Sequence, residues 1–190
     1  SAPNTIESNQ LRAGPHRDHL KARRVAVIGV GALGSFAADL LVRSGVNNLT
    51  LVDGDIIKPG NLVRHLTDQH VVGKNKAQAV KDHLERVHQR PIKIEAIASH
   101  LDDATEAFEL FGSHDLVINA TADFSITALL HAAAAASDKV TLSVAMQNHG
   151  TTVRIDVLPP LAGAAQLPGS AEPTNSTIAP IYDAGCGSPI

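Results

Sequence analysis

The chain has 190 residues, which is ample for one hydrophobic core and short for two, so one domain followed by a tail is expected. Sixteen Lys and Arg residues against nineteen Asp and Glu residues give a formal net charge of −3 with no basic stripe, which argues against a nucleic-acid partner. No apolar run is long enough to span a membrane and no signal-peptide segment opens the chain, so we expect a soluble protein without a membrane partner.

Strand-like and helix-like segments alternate along most of the chain. Residues 1–20 are polar and are predicted to form an arm before the first strand. The predicted strands lie near 24–29, 48–53, 92–97, 115–119, 140–145 and 151–157, and the predicted helices near 33–44, 74–88, 103–111 and 124–136. This order predicts an α/β fold over residues 21–158, a doubly wound, Rossmann-like and mostly parallel sheet.

The last predicted strand, 151–157, alternates polar and apolar residues and follows its predecessor through the short link 147–150. A link of this length fits a hairpin, so an antiparallel C-terminal strand is expected. Residues 159–190 are rich in Pro, Gly, Ala and Ser without periodicity, and we interpret them as a crossover or tail. The start at Ser1 rather than Met is compatible with an excised piece of a longer protein.

A G-x-G-x-x-G motif, Gly29 to Gly34, joins the first predicted strand to the first predicted helix. Gly29 permits a tight turn, Gly31 lets backbone amides approach a phosphate, and Gly34 lets the helix pack closely on the sheet. The helix N-terminus adds unpaired N–H groups and a partial positive charge. The motif therefore predicts a nucleotide phosphate site, and a plain glycine-rich turn is the alternative.

An unusual polar segment, 53–65, follows the second predicted strand. A dehydrogenase of this fold would place one acidic residue there and return soon into a helix. Pro59 and Gly60 instead disfavour a regular helix, so Asn61 and Arg64 are expected on irregular backbone at the carboxyl edge of the sheet, where such folds bind ligands. A solvated surface loop is the alternative.

Two further elements place charged residues near the same edge. Lys74 and Lys76 are predicted in the first turn of a helix, where the macrodipole disfavours cations unless a polyphosphate binds. They are two residues apart and point in different directions, so only one is expected to serve the site. Asp123, after the fourth strand, is placed either to hold magnesium or to cap the next helix.

The ten histidines raise the question of a metal centre. The pairs His65/His70 and His83/His88 are each five residues apart, which places their members off a common helical face. Scattered surface histidines are therefore expected.

Taken together, these motifs resemble the ThiF-type, ubiquitin-activating superfamily of adenylating enzymes over about residues 24–157. Besides the glycine motif, the resemblance rests on a D-x-D then N-x-x-R run, a V-G-x-x-K element and a Thr/Asp pair: Asp53, Asp55, Asn61, Arg64; Val72, Gly73, Lys76; Thr121, Asp123. It implies an enzyme that binds Mg-ATP and joins AMP to the C-terminal glycine carboxylate of a ubiquitin-like or sulfur-carrier protein, releasing pyrophosphate. A NAD(P)-dependent Rossmann oxidoreductase, which shares the opening motif, and a non-catalytic partner subunit are the alternatives.

The resemblance also implies roles for the residues at this edge. Asp53, with Asp55 beside it, would bind the nucleotide through the ribose, Asn61 would contact phosphate, and Asp123 would coordinate magnesium. Adenylation brings a carboxylate to an α-phosphate, so cations must stabilise the developing charge. Arg64 and Lys76 are the candidates for that catalytic role.

Family members often form homodimers and pass an N-terminal arginine into the partner's site. Arg12 and Arg17 in the polar arm are candidates for such an arginine finger, and two exposed arginines are the alternative.

The chain departs from the family pattern in two places. Many members carry two Cys-x-x-Cys zinc pairs, whereas Cys186 stands alone, a cysteine count that favours a reducing cytoplasm. The family aspartate usually follows the threonine directly, whereas Ala122 separates Thr121 from Asp123. Cys186 is a candidate thioester-forming nucleophile, and an incidental thiol is the alternative.

Overall fold

A six-stranded sheet with helices on both faces forms the part of the chain that the computed structural model describes, residues 17–88, 91–147 and 150–160. The strands are β1 (Arg24–Ile28), β2 (Asn48–Val52), β3 (Lys93–Ile97), β4 (Leu116–Asn119), β5 (Thr141–Gln147) and β6 (Thr152–Leu158). The helices are α1 (Arg17–Lys21), α2 (Ala32–Ser44), α3 (Lys76–His88), α4 (Ala104–Ser113) and α5 (Phe124–Ala136), with two 3₁₀ helices at Pro59–Arg64 and Gln69–Val71.

The strand order is β3-β2-β1-β4-β5-β6. The first five strands run parallel, and β6 pairs antiparallel with β5. The chain winds outward from β1 to β3 and then returns to the other side of β1 with β4. This arrangement confirms the predicted doubly wound α/β fold with an antiparallel C-terminal strand, and it creates a topological switch point between β1 and β4.

The central strands are apolar because both of their faces are covered. On β1, Val25 and Val27 belong to one core with α2 and α3, whereas Ala26 and Ile28 belong to a second core with α4 and α5. Burial on both faces makes the sheet a rigid support for the loops at its carboxyl edge. No helix among the described residues is long and apolar enough to cross a membrane.

Three local features differ from the sequence expectations. Residues 17–21 of the predicted arm form α1, whose Leu20 packs against the first core. Helix α3 begins at Lys76 rather than at residue 74, because the Asn75 side chain accepts a hydrogen bond from the Gln78 amide and caps the helix there. The segment with Pro59 is a 3₁₀ helix, with the proline at its first position, where no N–H is needed.

Candidate functional site

A cavity of about 410 Å³ opens at the carboxyl edge of the parallel strands, beside the switch point. Its walls come from the glycine turn, the first 3₁₀ helix, the start of α3 and the start of α5. Eight residues proposed from the sequence line it together: Gly29, Gly31, Asp53, Asp55, Asn61, Arg64, Lys76 and Asp123. Segments up to about 90 residues apart in sequence therefore meet at one place where ligands bind in this class of fold.

The glycine turn has the geometry that its sequence predicts. Gly29 has φ +80°, and a Cβ on Gly34 would lie 1.8 Å from the Gly29 carbonyl oxygen, so both positions require glycine. A Cβ on Gly31 would meet nothing within 4 Å. Gly31 caps α2 without a side-chain hydrogen bond, so the first amides of that helix remain available to an anion at the cavity wall.

Asp53 supports the same turn from the end of β2. Its Oδ2 accepts the Val30 amide at 2.8 Å, and its Oδ1 accepts the Asp55 amide at 2.9 Å. The residue is 9 % exposed and still lines the cavity. Asp53 therefore fixes the backbone of the glycine turn, a contact that sequence reasoning missed because it joins residues 23 positions apart.

The two lysines predicted near the site have separate environments. Lys76 lines the cavity and its Nζ lies 2.6 Å from Asp55 Oδ2. That hydrogen bond, the largest influence on Asp55, lowers the pKa of the carboxyl below its usual value. Lys74 instead pairs with Asp82 and does not line the cavity. The structure thus places one of the two lysines at the site, as their spacing predicts.

Arg64 is the second cation in the cavity wall. It ends the first 3₁₀ helix, and among the described residues it has neither a hydrogen bond nor an ion pair to its side chain. Asn61, one turn earlier, accepts the Lys58 amide at 2.9 Å through Oδ1, which holds the start of this helix. Arg64 is therefore a cation available to an anionic ligand.

Asp123 caps α5 at the opposite wall. Its Oδ1 accepts the amides of Ser125 at 2.7 Å and Ile126 at 3.1 Å. The preceding Ala122 has φ +56°, a left-handed backbone that alanine rarely adopts. Capping, one of the two roles expected for Asp123, is therefore present in the structure.

The residues at this wall offer magnesium a single carboxylate, that of Asp123. No group of three His, Cys, Asp or Glu side chains within the described ranges is arranged to hold a metal ion. Oδ1 makes both cap hydrogen bonds of Asp123, which leaves Oδ2 for another ligand. One carboxylate in a cavity fits magnesium that is held mainly by nucleotide oxygens and water, the usual arrangement for that ion.

The expectation of scattered surface histidines is wrong for several of them. His65 is 6 % exposed, its ring held between the Val30 carbonyl and Thr67. His88 contacts Asp39 at 2.8 Å, and His114 contacts Thr50 Oγ1 at 2.8 Å. His65 is buried and the other two rings are half-buried, because each finds a partner on a distant segment, and spacing along the chain carries no signal of such contacts.

His100 is a further residue at the cavity that sequence reasoning missed. Its ring packs against Gly54, where a Cβ would lie 2.5 Å from the ring, and its Nε2 is 3.9 Å from Asp55. Three other candidates are not placed by the structure. Arg12 and Cys186 lie outside the described residues, and of Arg17 only the backbone, at the start of α1, is described.

Comparison with known proteins agrees with this geometry. The model of the ThiF family matches residues 7–181. The ATP-dependent ubiquitin transferase-like protein Cap2 of Enterobacter hormaechei is 31% identical over 140 residues, 73% of this chain and 23% of Cap2. The molybdopterin-synthase adenylyltransferase of Escherichia coli is 37% identical over 117 residues, 61% of this chain and 46% of that enzyme.

The fold is likewise similar to that of solved structures. The crystal structure of E. coli MccB with ATP aligns with a TM-score of 0.62 and 25% identity over 70% of this chain and 40% of MccB. The chain thus spans less than half of the length of each of these three proteins. The motif order, the doubly wound sheet and the match of the family model over residues 7–181 together show that this chain belongs to the ThiF family.

Proposed function

We propose that this chain binds Mg-ATP and transfers AMP to the C-terminal carboxylate of a ubiquitin-like or sulfur-carrier protein. The observation that carries the proposal is the meeting, in one cavity, of two features: the N-terminus of α2, whose Gly31 cap makes no side-chain hydrogen bond, and the Arg64 side chain, which has no partner within the described part of the chain. Helix N-termini and guanidinium groups both bind phosphate oxygens. The adenylyltransferase name of the molybdopterin-synthase relative and the ATP complex of MccB support the same chemistry.

The reaction has a simple balance. A carboxylate oxygen of the carrier attacks the α-phosphorus, the bond to the bridging oxygen of the β-phosphate breaks, and pyrophosphate leaves with the electron pair. Both reactants are anionic, so the site must stabilise charge on the α-phosphate and on the leaving group. Arg64 supplies a guanidinium at the cavity wall, and Lys76, although paired with Asp55, has further N–H donors for a phosphate oxygen.

Four other lining residues also have proposed roles in binding the nucleotide. Asp53 and Asp55 are proposed to bind the ribose end of the nucleotide, and Asn61, through its amide N–H groups, a phosphate. Asp123 is proposed to hold magnesium through Oδ2 while Oδ1 caps α5. Magnesium, when bound there, would supply positive charge that offsets the negative charge of the phosphates.

Nicotinamide chemistry is the less favoured reading of the same fold. Dinucleotide sites of this fold use the glycine turn and one acidic residue for the ribose. The present cavity adds two cations from later segments, Arg64 and Lys76, and the relatives named above are not oxidoreductases. A non-catalytic subunit would have no reason to keep that pair of cations.

The assembly and the downstream chemistry belong to the same proposal. We propose a cytoplasmic homodimer, in which Arg12 or Arg17 of one copy reaches the cavity of the other, and Cys186 as the residue that would accept the activated acyl group. Light scattering of the purified protein tests the dimer. Single alanine substitutions of the three residues, assayed for adenylate formation and for thioester formation separately, test the assigned roles.

The central experiment is ATP–pyrophosphate exchange. The protein is incubated with Mg-ATP, radiolabelled pyrophosphate and a panel of ubiquitin-like and sulfur-carrier proteins that end in glycine, and label is expected to enter ATP with the cognate carrier. An Arg64→Ala variant should lose most of this exchange, whereas Arg86→Ala, on the surface of α3 and outside the cavity, should retain it. Tight NAD binding without any thermal shift by Mg-ATP, together with no exchange, would refute adenylation.

A further inference from the structure

His65 is a buried ring placed between the two halves of the proposed phosphate site. It follows Arg64 directly and forms the C-terminal cap of the first 3₁₀ helix. Its Nε2 lies 2.8 Å from the carbonyl oxygen of Val30, the middle residue of the glycine turn. Its Nδ1 lies 3.2 Å from the Thr67 amide nitrogen and 2.8 Å from the Thr67 hydroxyl oxygen. One imidazole thus connects the glycine turn to the segment that carries Arg64.

The hydrogen bonds define the protonation state of the ring. A backbone amide can only donate, so Nδ1 must accept from Thr67 and the single ring proton must lie on Nε2, where it donates to the Val30 carbonyl. A second proton on Nδ1 would face the Thr67 N–H, donor against donor. The connection is therefore complete only while the imidazole is neutral.

A second contact holds the same segment to α2. The Leu66 amide donates to the Ser35 hydroxyl at 3.3 Å, and Ser35 is fully buried in the first turn of that helix. Val30 is also held from the other side, because its amide donates to Asp53. The peptide groups that frame the phosphate turn are therefore fixed by the side chains of Asp53, Ser35 and His65, and His65 is the one histidine among the three.

The surroundings favour the neutral ring. Burial lowers the pKa of His65 below its ordinary value of 6.5, and the hydrogen bond to Val30 acts in the opposite direction. The charged and titratable groups facing the ring are Lys76 and His83 on α3, which oppose a second proton, and Asp53 at the end of β2, which favours it.

We propose that His65 is a positioning residue, whose neutral imidazole holds Arg64 in register with the glycine turn and whose protonation releases Arg64 and lowers adenylation in acid. This inference rests on the proposed function, because it assigns Arg64 to the phosphates. Misplacing a charged group by about 1 Å costs up to about 100-fold in rate, so a small shift of this segment would be visible in turnover.

Three variants test the role through activity. His65→Gln keeps one N–H donor and one oxygen acceptor but does not titrate, so it should retain most of the exchange rate at pH 8 and lose the decline below pH 6.5. His65→Leu should lower exchange roughly 10- to 100-fold. His114→Gln, at a half-buried histidine with three hydrogen-bond contacts and outside the cavity, should leave both the rate and the acid decline unchanged.

A double-mutant cycle separates positioning from general stability. If His65 acts through Arg64, the His65→Leu substitution should have little further effect in an Arg64→Ala background. Losses that multiply would show that the two residues act independently and would overturn the proposal, as would an acid decline that persists in His65→Gln.

A measurement without turnover keeps this proposal distinct from the proposed function. Nitrogen NMR of the ring should show the Nε2–H tautomer at pH 7, and the Leu66 and Thr67 amides should exchange faster with solvent as the ring protonates. A ring protonated on Nδ1 at pH 7, or amide exchange that does not follow its titration, would contradict the proposal. If ATP–pyrophosphate exchange is absent while these signals are present, only the adenylation assignment fails.

Discussion

Two glycine-to-alanine substitutions in the glycine turn are expected to have different effects: Gly34→Ala should lower stability, and Gly31→Ala should weaken nucleotide binding. In Gly34→Ala the new Cβ would lie 1.8 Å from the Gly29 carbonyl oxygen, an overlap that only a backbone shift relieves. Overpacking of that kind costs about 3 kcal/mol, at the upper end of the usual range, and in a chain of this size lowers Tm by about 6–12 °C. In Gly31→Ala the new Cβ meets nothing, and replacing glycine at a helix cap costs less than about 1 kcal/mol.

Gly31→Ala should instead weaken the binding of Mg-ATP. Gly31 lines the cavity and its new methyl group would enter open space, so we expect it to hold a phosphate away from the amides at the start of α2. Losing one hydrogen bond to a charged group costs about 1.5–3 kcal/mol, so Mg-ATP should bind roughly 10- to 150-fold more weakly. Thermal unfolding and calorimetric titration of Mg-ATP separate the two effects. If Gly31→Ala binds Mg-ATP like the wild type, the phosphates do not lie against this turn.

Three further outcomes are expected. Lys76→Met should slow ATP–pyrophosphate exchange roughly 10- to 150-fold, whereas Lys74→Met, two residues away and outside the cavity, should not. Asp123→Asn should keep the helix cap and Tm within about 2 °C but lose exchange, while equal exchange would exclude a metal role. Burial raises the pKa of Asp39, but the hydrogen bonds from Arg43 and His88 outweigh burial and hold the pKa below its ordinary value of 3.8. The ionised carboxylate therefore stabilises the fold above that pH, and this contribution is lost as the pH falls further. Asp39→Ala, which leaves His88 unpaired, should cost about 1–3 kcal/mol in urea unfolding at pH 7 and reduce its acid dependence.

The order and type of the elements could be predicted because each is set by local pattern. The central strands consist mainly of apolar residues, and the helices between them have periodic apolar positions, so the alternation is visible without contacts. The hairpin link likewise predicted the antiparallel β6. The geometry of the glycine motif could be predicted from the motif itself, because Gly29 adopts a positive φ and Gly34 lies against the Gly29 carbonyl oxygen.

The sequence predicted which residues line the site, but not the hydrogen bonds that hold them in place. Residue type and the position after each strand identified five of its six charged members, all except Asp102: Asp53, Asp55, Arg64, Lys76 and Asp123. Two contacts that shape it were not predictable: the Asp53 hydrogen bond to the Val30 amide and the His65 hydrogen bond to the Val30 carbonyl. Both join segments that are adjacent only after β1 and β2 pair, and the local pattern around each side chain does not indicate its partner.

The charge of the cavity wall has a consequence for the form of nucleotide that binds. Four carboxylates, Asp53, Asp55, Asp102 and Asp123, line it against two cations, Arg64 and Lys76, a formal balance of −2 among the described lining residues. A bare triphosphate would therefore meet net repulsion, of about 1–4 kcal/mol for a close like-charge pair near a protein surface. A divalent cation bound to the phosphates turns this repulsion into attraction. We expect ATP to bind at least about fivefold more weakly in EDTA than in magnesium, with the difference shrinking in Asp123→Asn, as measured by calorimetry. Equal affinity with and without magnesium would mean that Arg64, Lys76 and the α2 amides suffice for the phosphates and that the acidic wall serves another part of the substrate.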